Sequence, residues 1–428
     1  MVLKTRMLEL VEDVRSSYWF IPSIIALLGF GAGLGLVYVD AVLGDRWLGR
    51  FEWFYGSRPE GARALLSTVA GSTITVAGVV FSITLAAVTY ASGQYGPRLL
   101  SNFVRDRGNQ VTLGVFIGTF LYCLVVLRTI RSAEETSADT GGAVREAFVP
   151  HIAMFGALAL AVMSIGMLIY FVHHVTDSIH INNVIARIGR GLIAEIKRRT
   201  DVAGAPTDID ATETVRSSAT EAPVPSPQTG YIEALDEDGL LKIATECGVH
   251  ITVLKIPGDF IHTGQPLLRA EPAGDEELSR CGDFFAFGRK RSALQDMRFL
   301  IDELVEIAMR ALSPGVNDPF TAIACMDWLG AALIDLSRMP SRPPQLADSD
   351  GTIRLTIPRL RFANYLETAI GRLRPYATRD PNAGAHLLQT LDALRDGIVN
   401  GPHRALVEAE RHRAACQMTI LASSVDRA

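Results

Sequence analysis

The sequence is poor in charge, poor in cysteine and free of the common catalytic signatures. Asp, Glu, Lys and Arg make up 20% of its 428 residues, and the net charge is −5. Without a basic excess there is no electrostatic reason to expect a nucleic-acid partner. The five cysteines (Cys123, Cys247, Cys281, Cys325, Cys416) are scattered, with no CxxC and no short pairing. They read as reduced structural thiols. No GxSxG, P-loop, HExxH or kinase signature occurs. Nothing therefore points to an enzyme, and no cofactor is implied.

Charge is missing most completely from one stretch. Residues 64–92 hold no charged residue and no proline. As a helix, such a stretch is about 43 Å long at 1.5 Å per residue, more than the ~30 Å of a bilayer's hydrocarbon core. Three further apolar runs, at 20–42, 111–130 and 148–175, complete an expected four-helix transmembrane domain over 18–176. The hydrophobic fraction is 48% and the mean hydropathy +0.22, and the long apolar runs are confined to this part. The start of the chain is mixed in charge, and the run after it is too long for a signal-peptide core, so it reads as an uncleaved first membrane helix. Residues 1–17 are expected to form an amphipathic surface helix. Tyr18 and Trp19 then supply an interfacial anchor.

Lys and Arg set the expected orientation. Eleven lie on the side that holds the amino terminus, the loop after the second run and the segment Arg187 to Arg199. Seven lie on the other side. The positive-inside rule then puts both termini in the cytoplasm.

Beyond the membrane part the chain reads as soluble. Residues 177–200 look like a cytosolic amphipathic helix. Residues 201–228, rich in Pro, Ser, Thr, Ala and acid, look like a flexible linker. Over 229–275 the apolar period changes to two. Tyr231-Ile232, Leu240 to Ile243, His250 to Leu254 and Pro266 to Leu268 read as short strands. The run VLKIPGDFIHTGQPLL resembles the half-barrel of biotinyl/lipoyl-type domains, in which two turns bracket a short strand. Lys242 and Lys255 lie inside strand patterns instead of at an exposed hairpin tip. The expectation is a small β-barrel used as a scaffold, not as a carrier. Residues 276–428 are expected to be mainly helical, with one strand from Thr352 to Ile357. The fold class is thus an α-helical integral membrane protein with four transmembrane helices and a cytosolic α+β region containing a small β-barrel.

Two segments carry a family resemblance. They are LLSTVAGSTITVAGVVFSITLAAVTYASGQYGPRLLSNFVRDRGNQVTLGVFIGTFLY and FGRKRSALQDMRFLIDELVEIAMRALSPGVNDPFTA, and YFVHH at the end of the fourth run fits with them. The chain resembles the bacterial predicted membrane proteins grouped as domain of unknown function 2254, over nearly its whole length. That resemblance implies an architecture and a bacterial inner membrane as its location, and no activity.

Three constellations stand out. Thr68, Thr75, Ser82 and Thr89 recur every seven residues in the second run. Gly71, Gly78, Leu85 and Ser92 follow three positions after each. They form one stripe of mostly small and hydroxylated side chains. In an oligomer, Thr68, Gly71, Thr75, Gly78, Ser82 and Thr89 are pore-lining candidates for a small ion. The alternative is tight helix packing without conduction, in a membrane scaffold or sensor. The absence of charge along the stripe argues against a proton pump or an ion-coupled transporter. Tyr95, Pro97 and Arg98 mark the junction at its cytosolic end. Second, His173, Asp177 and His180 share a helix face at spacing i, i+4, i+7. They form a candidate metal set, and the weaker alternative of a metal-dependent membrane enzyme rests on it. Third, Ser313, Pro314, Gly315, Asn317, Asp318 and Pro319 make a rigid helix–turn–helix corner, structural or anion-binding. Asp296, Asp302, Glu303 and Glu306 read as a solvated face, because Arg298–Asp302 and Glu306–Arg310 are i,i+4 pairs. The expected partners are a lipid bilayer and further copies of the chain.

Overall fold

A computed structural model describes residues 18–43, 59–95, 106–131, 148–202, 222–272 and 281–425. The chain divides into two compact units, one ending at His180 and the other beginning at Ile181.

The first unit is a bundle of four apolar helices: α1 (Phe20–Leu43), α2 (Pro59–Tyr95), α3 (Arg107–Thr129) and α4 (His151–Ile179). Each follows one of the four apolar runs. α2 begins five residues earlier than its charge-free stretch, because Arg63 sits near a helix end where it finds a partner. Arg63 donates to the carbonyl of Ile130 at 2.9 Å. α1 and α3 approach closely through glycines. A β-carbon on Gly29 would lie 2.5 Å from the Gly118 carbonyl oxygen, and one on Gly114 would lie 2.9 Å from Ile25. Small residues at a helix contact let two backbones approach in an environment where burial from water offers little drive. α2 packs inward through Ala62, Leu66, Ala70, Ala77 and Val80, against Phe116, Tyr122, Cys123 and Val126 of α3. The expected amphipathic helix at 1–17 and the junction residues Pro97 and Arg98 lie outside the described residues. Tyr95 is the last residue of α2.

The second unit opens with α5 (Ile181–Val202). The linker expected over 201–228 ends sooner, since β1 (Ala222–Pro225) pairs with residues 266–270. The strands that follow are β2 (Gly230–Leu235), β3 (His250–Val253), β4 (Phe260–Ile261), β5 (Pro266–Glu271) and β6 (Phe285–Gly288), then β7 (Gln345–Ala347) and β8 (Ile353–Thr356). They form a five-stranded sheet in the order β1-β5-β3-β8-β7 and a three-stranded sheet in the order β4-β2-β6. All pairings are antiparallel except β3 with β8. The small closed barrel expected over 229–275 is therefore not found. β6 and β7 come from the stretch expected to be mainly helical, β8 falls on the one strand expected there at 352–357, and the two sheets close over one core that includes Ile232, Ile251, Leu267 and Leu355. The segment around Leu240 is not a strand but a helix, α6 (Glu237–Glu246). Asp236 caps it by accepting from the Gly239 N–H at 3.0 Å, and Leu240 and Ala244 turn inward at helical spacing. The two turns of the lipoyl-like run do bracket a short strand. Gly258 and Gly264, with φ of +94° and +83°, flank β4.

Helices make up the rest: α7 (Arg298–Ala311), α8 (Pro319–Arg338), α9 (Phe362–Leu366) continuing into a π-turn at Glu367–Gly371, α10 (Arg374–Ala377), α11 (Pro381–Gly397) and α12 (Gly401–Val425). Among the described residues five helices, not four, are long and apolar enough to cross a membrane, and the fifth is α8. α8 is apolar on several sides because it packs against α5, α7 and α11 at once, with Ala322, Cys325, Met326, Leu329 and Leu333 buried.

Candidate functional site

α2 has two faces with different uses. Its buried face runs through Ala62, Leu66, Ala70, Thr73, Ala77, Val80, Thr84 and Ala87, a spacing of three and four that keeps one side of a helix on its neighbours. Thr68, Gly71, Thr75, Gly78, Ser82 and Thr89 fall on the other side, and all six are exposed. A β-carbon on Gly71 or Gly78 would meet nothing within 4 Å. Within the subunit, then, the small-residue stripe is not the packing face. Its hydroxyls bond back to their own helix. Thr68 donates to the Ala64 carbonyl at 2.8 Å, Thr75 to Gly71 at 2.8 Å, Ser82 to Gly78 at 2.9 Å and Thr89 to Leu85 at 2.9 Å. Each hydroxyl spends its proton inward, so its remaining lone pairs are what the stripe presents.

The ends of the bundle are polar and paired. At one end Asp106 caps α3, accepting from the Gly108 N–H at 2.8 Å. The same oxygen lies 2.7 Å from His174 Nε2 in α4. The Tyr170 ring stacks on His174 with centroids 5.2 Å apart, and Ser178 Oγ lies 3.5 Å from the same nitrogen. Gly108 is needed there, since a β-carbon would run into His174. The metal set is not assembled: among the described residues no three His, Cys, Asp or Glu side chains converge. His180 is the residue at which α4 ends, with ψ of 121°, so the helical spacing that put it in line with His173 and Asp177 stops one residue short.

At the other end Asp40 of α1 reaches the start of α4. Its two carboxylate oxygens accept the N–H groups of Ile152 at 3.0 Å and Ala153 at 2.9 Å. An anion at a helix N-terminus satisfies donors that the helix itself leaves unpaired. Tyr122 donates to the Ala153 carbonyl at 2.7 Å. Neither Asp40 nor Asp106 was singled out from the sequence. The signals were present: one acid inside an apolar run, and an aspartate just before another.

In the second unit the corner from Ser313 to Pro319 joins α7 to α8. Asn317 holds φ of +49°. The Asp318 N–H donates back to the Ala311 carbonyl at 2.8 Å. Asp318 also caps α8, accepting from the Thr321 N–H at 3.2 Å and from its hydroxyl at 2.6 Å. Its carboxylate thus takes a backbone donor of the first turn of α8 and closes the corner on itself.

The acids before and within α7 are not a solvated face. Asp296, Asp302 and Glu303 are buried. Arg291 spans Asp296 at 2.6 Å and Asp302 at 2.5 Å. Arg298 turns to Asp296 at 2.9 Å and to the Pro257 carbonyl at 3.0 Å, while Arg372 takes the other oxygen of Asp302 at 2.7 Å. Burial on its own would lower the Arg291 pKa. The bonds to Asp296 and Asp302 outweigh it, and the guanidinium is held above its ordinary value. With Asp259, 3.5 Å from Arg298, three aspartates face three arginines in a knot that ties the 288–297 segment to the Gly258 turn and the π-turn.

A family profile described as "Predicted membrane protein (DUF2254)" matches residues 15–393. Uncharacterized protein Mb1321c of Mycobacterium bovis is 31% identical over 415 residues, covering 94% of this chain and 76% of the relative. Uncharacterized protein Rv1290c of Mycobacterium tuberculosis H37Rv is similar to the same extent. No solved structure matches the chain.

Proposed function

This chain belongs to the DUF2254 family of predicted membrane proteins, and we propose that it acts as an oligomeric, pore-like protein with α2 lining the path. The observation that carries the reading is the spare face of α2. Six small or hydroxylated residues are exposed along it while a different face does the packing within the subunit. Copies arranged about an axis would present hydroxyl oxygens whose protons are already used. That favours a small cation as the permeant species. The stretch from 64 to 92 carries no charge, consistent with passage that is not coupled to protonation. The Ile181–Ala428 unit would assemble or gate the pore. On this reading the chain is not an enzyme: Asp296 and Asp302, its best-placed buried acids, are neutralised by arginines.

The site of action is the bacterial inner membrane with both termini in the cytoplasm, on the Lys and Arg distribution. A fluorescent reporter fused to the carboxy terminus should fold and glow, and a phosphatase reporter there should be inactive. The pore itself is tested with purified protein in planar bilayers. Stable unitary currents, altered by Ser82→Leu or Thr75→Leu, are the expected result. Silence across voltage, tension and pH overturns conduction. Disulfide cross-links between copies carrying Ser82→Cys, in a protein that stays silent, favour the non-conducting scaffold.

A further inference from the structure

We propose that His403 is an acid-released latch that fastens the first turn of α12 to α8 and α9. α12 begins at Gly401, and His403 is its third residue. Asn400 closes that turn. Its side-chain oxygen accepts the His403 N–H at 3.1 Å, and its carbonyl accepts the Arg404 N–H at 2.9 Å. The imidazole reaches two other elements. Its ring stacks on Phe362, the first residue of α9, with centroids 4.5 Å and planes 26° apart. It also bonds to the backbone of Ser337, in the last turn of α8. Nδ1 of the ring is buried and has no hydrogen-bond partner among the described residues. An imidazolium needs acceptors for two N–H groups, and this place offers one. The second N–H would be a buried donor on a charged ring, which is costlier to leave unpaired than a neutral nitrogen.

Protonation would also put a positive charge in the first turn of a helix, where the backbone dipole is already positive. The face of Phe362 attracts a cation and works the other way. Burial pushes the imidazole pKa down and outweighs the bond to Ser337, which pulls it up. The acids on the surrounding elements are engaged elsewhere. Asp335 of α8 faces Arg338 at 3.9 Å, Asp396 of α11 faces Arg395 at 3.0 Å, and Glu410 of α12 is held by Arg374 and Arg413 at 2.7 Å each. Glu367, after α9, lies over Gly371, and Glu408 acts on Arg411. Arg361 and Arg404, beside Phe362 and His403, add positive charge. With its folded pKa below the ordinary imidazole value near 6.5, the latch is whole above that value and is lost as the pH falls through it toward the folded pKa. Further along, α12 is held by Arg374 to Glu410, by Arg411 to Asp392 and by buried Val407 and Ala414. Its other histidine, His412, is exposed and meets Cys416 of the same helix. Histidine is the side chain that changes charge near neutral pH, so acid frees the first turn and leaves the rest of α12 docked. The inference does not depend on conduction.

The test is amide hydrogen exchange on the full chain in detergent micelles, at about pH 7.5 and about pH 5, either side of the imidazole range. Rates are corrected for the intrinsic pH dependence of exchange. On acidification the protection of residues 403–407 should fall several-fold more than that of residues 326–333 in α8. In His403→Gln the side-chain amide can still donate to the Ser337 backbone but takes up no proton. Its two segments should change alike. A wild-type first turn that keeps its protection at the lower pH overturns the proposal. So does a loss shared equally by 326–333, and so does an equal selective loss in His403→Gln. Where His403→Gln does not fold, the wild-type comparison of the two segments decides by itself.

Discussion

At Gly29 in α1 a β-carbon would sit 2.5 Å from the carbonyl oxygen of Gly118 in α3. At Gly71 and Gly78 in α2 it would meet nothing within 4 Å. Both sets belong to small-residue patterns in apolar helices of one bundle, and they answer to different neighbours. The α1–α3 glycines are consumed inside the subunit, where backbone meets backbone. The α2 glycines Gly71 and Gly78 are not needed by any described residue of the subunit. Small residues in a membrane helix record that something approaches closely. They do not record whether that neighbour is in the same chain.

The largest effect separating the two sets should come from Gly29→Leu. The obstructing atom is a backbone oxygen, which cannot swing aside as a side chain can. Overpacking of this kind costs about 3 kcal/mol or more when backbones must part. The expected outcome is loss of a monodisperse folded protein in detergent, measured by gel filtration and thermal melting. Melting like wild type would break the comparison, because α1 and α3 would then have to be further apart than they are here.

The next effect concerns the polar side of the same internal contact. Asp40→Asn keeps the shape but leaves one amide oxygen for two N–H donors, those of Ile152 and Ala153. Charge-assisted bonds are worth about 1.5–3 kcal/mol, so a loss of about 2 kcal/mol is expected. Tyr122→Phe removes a single hydrogen bond to the Ala153 carbonyl and should cost about 1 kcal/mol. Both can be read from the midpoint of denaturation in mixed micelles. If Tyr122→Phe costs more than Asp40→Asn, the cap is not what holds α4 to α1.

The contrast between these contacts and the spare face also shows how far the sequence could be read. The four apolar helices were legible because charge-free runs of that length have few other uses. The stripe on α2 was legible as a pattern, but its direction was not, since a period locates residues on one face without saying what faces them. α6 was missed because four apolar-rich residues around Leu240 fit a strand as well as a helix. The closed barrel failed because β8 joins β3 from about a hundred residues away, and no local period announces such a pairing. Spacing arithmetic paired Arg298 with Asp302. Arg298 is the first residue of α7, so its side chain reaches back over the preceding turn to Asp296 and Pro257. Asp106 is recognisable as a helix cap, whereas its partner His174 is 68 positions away.

The smallest effect is the most informative about the spare face, because its sign is at stake. Gly71→Ala and Gly78→Ala together add two methyl groups to open space on the exposed side of α2. In a helix interior, alanine is favoured over glycine by about 0.5–1 kcal/mol through lost backbone freedom in the unfolded chain. For an isolated subunit the double variant should therefore be at least as stable as wild type, in contrast to any enlargement at Gly29. The same methyl groups should weaken association if copies meet along Thr68, Gly71, Thr75 and Gly78, where close approach needs the glycines bare. The expected result is an unchanged or raised melting temperature in dilute detergent, together with a shift toward smaller species in lipid as read by single-molecule photobleaching. A stable variant whose oligomer distribution in lipid is unchanged would mean that copies do not meet along this face. α2 would then present its stripe to lipid alone, and the pore reading would lose its axis.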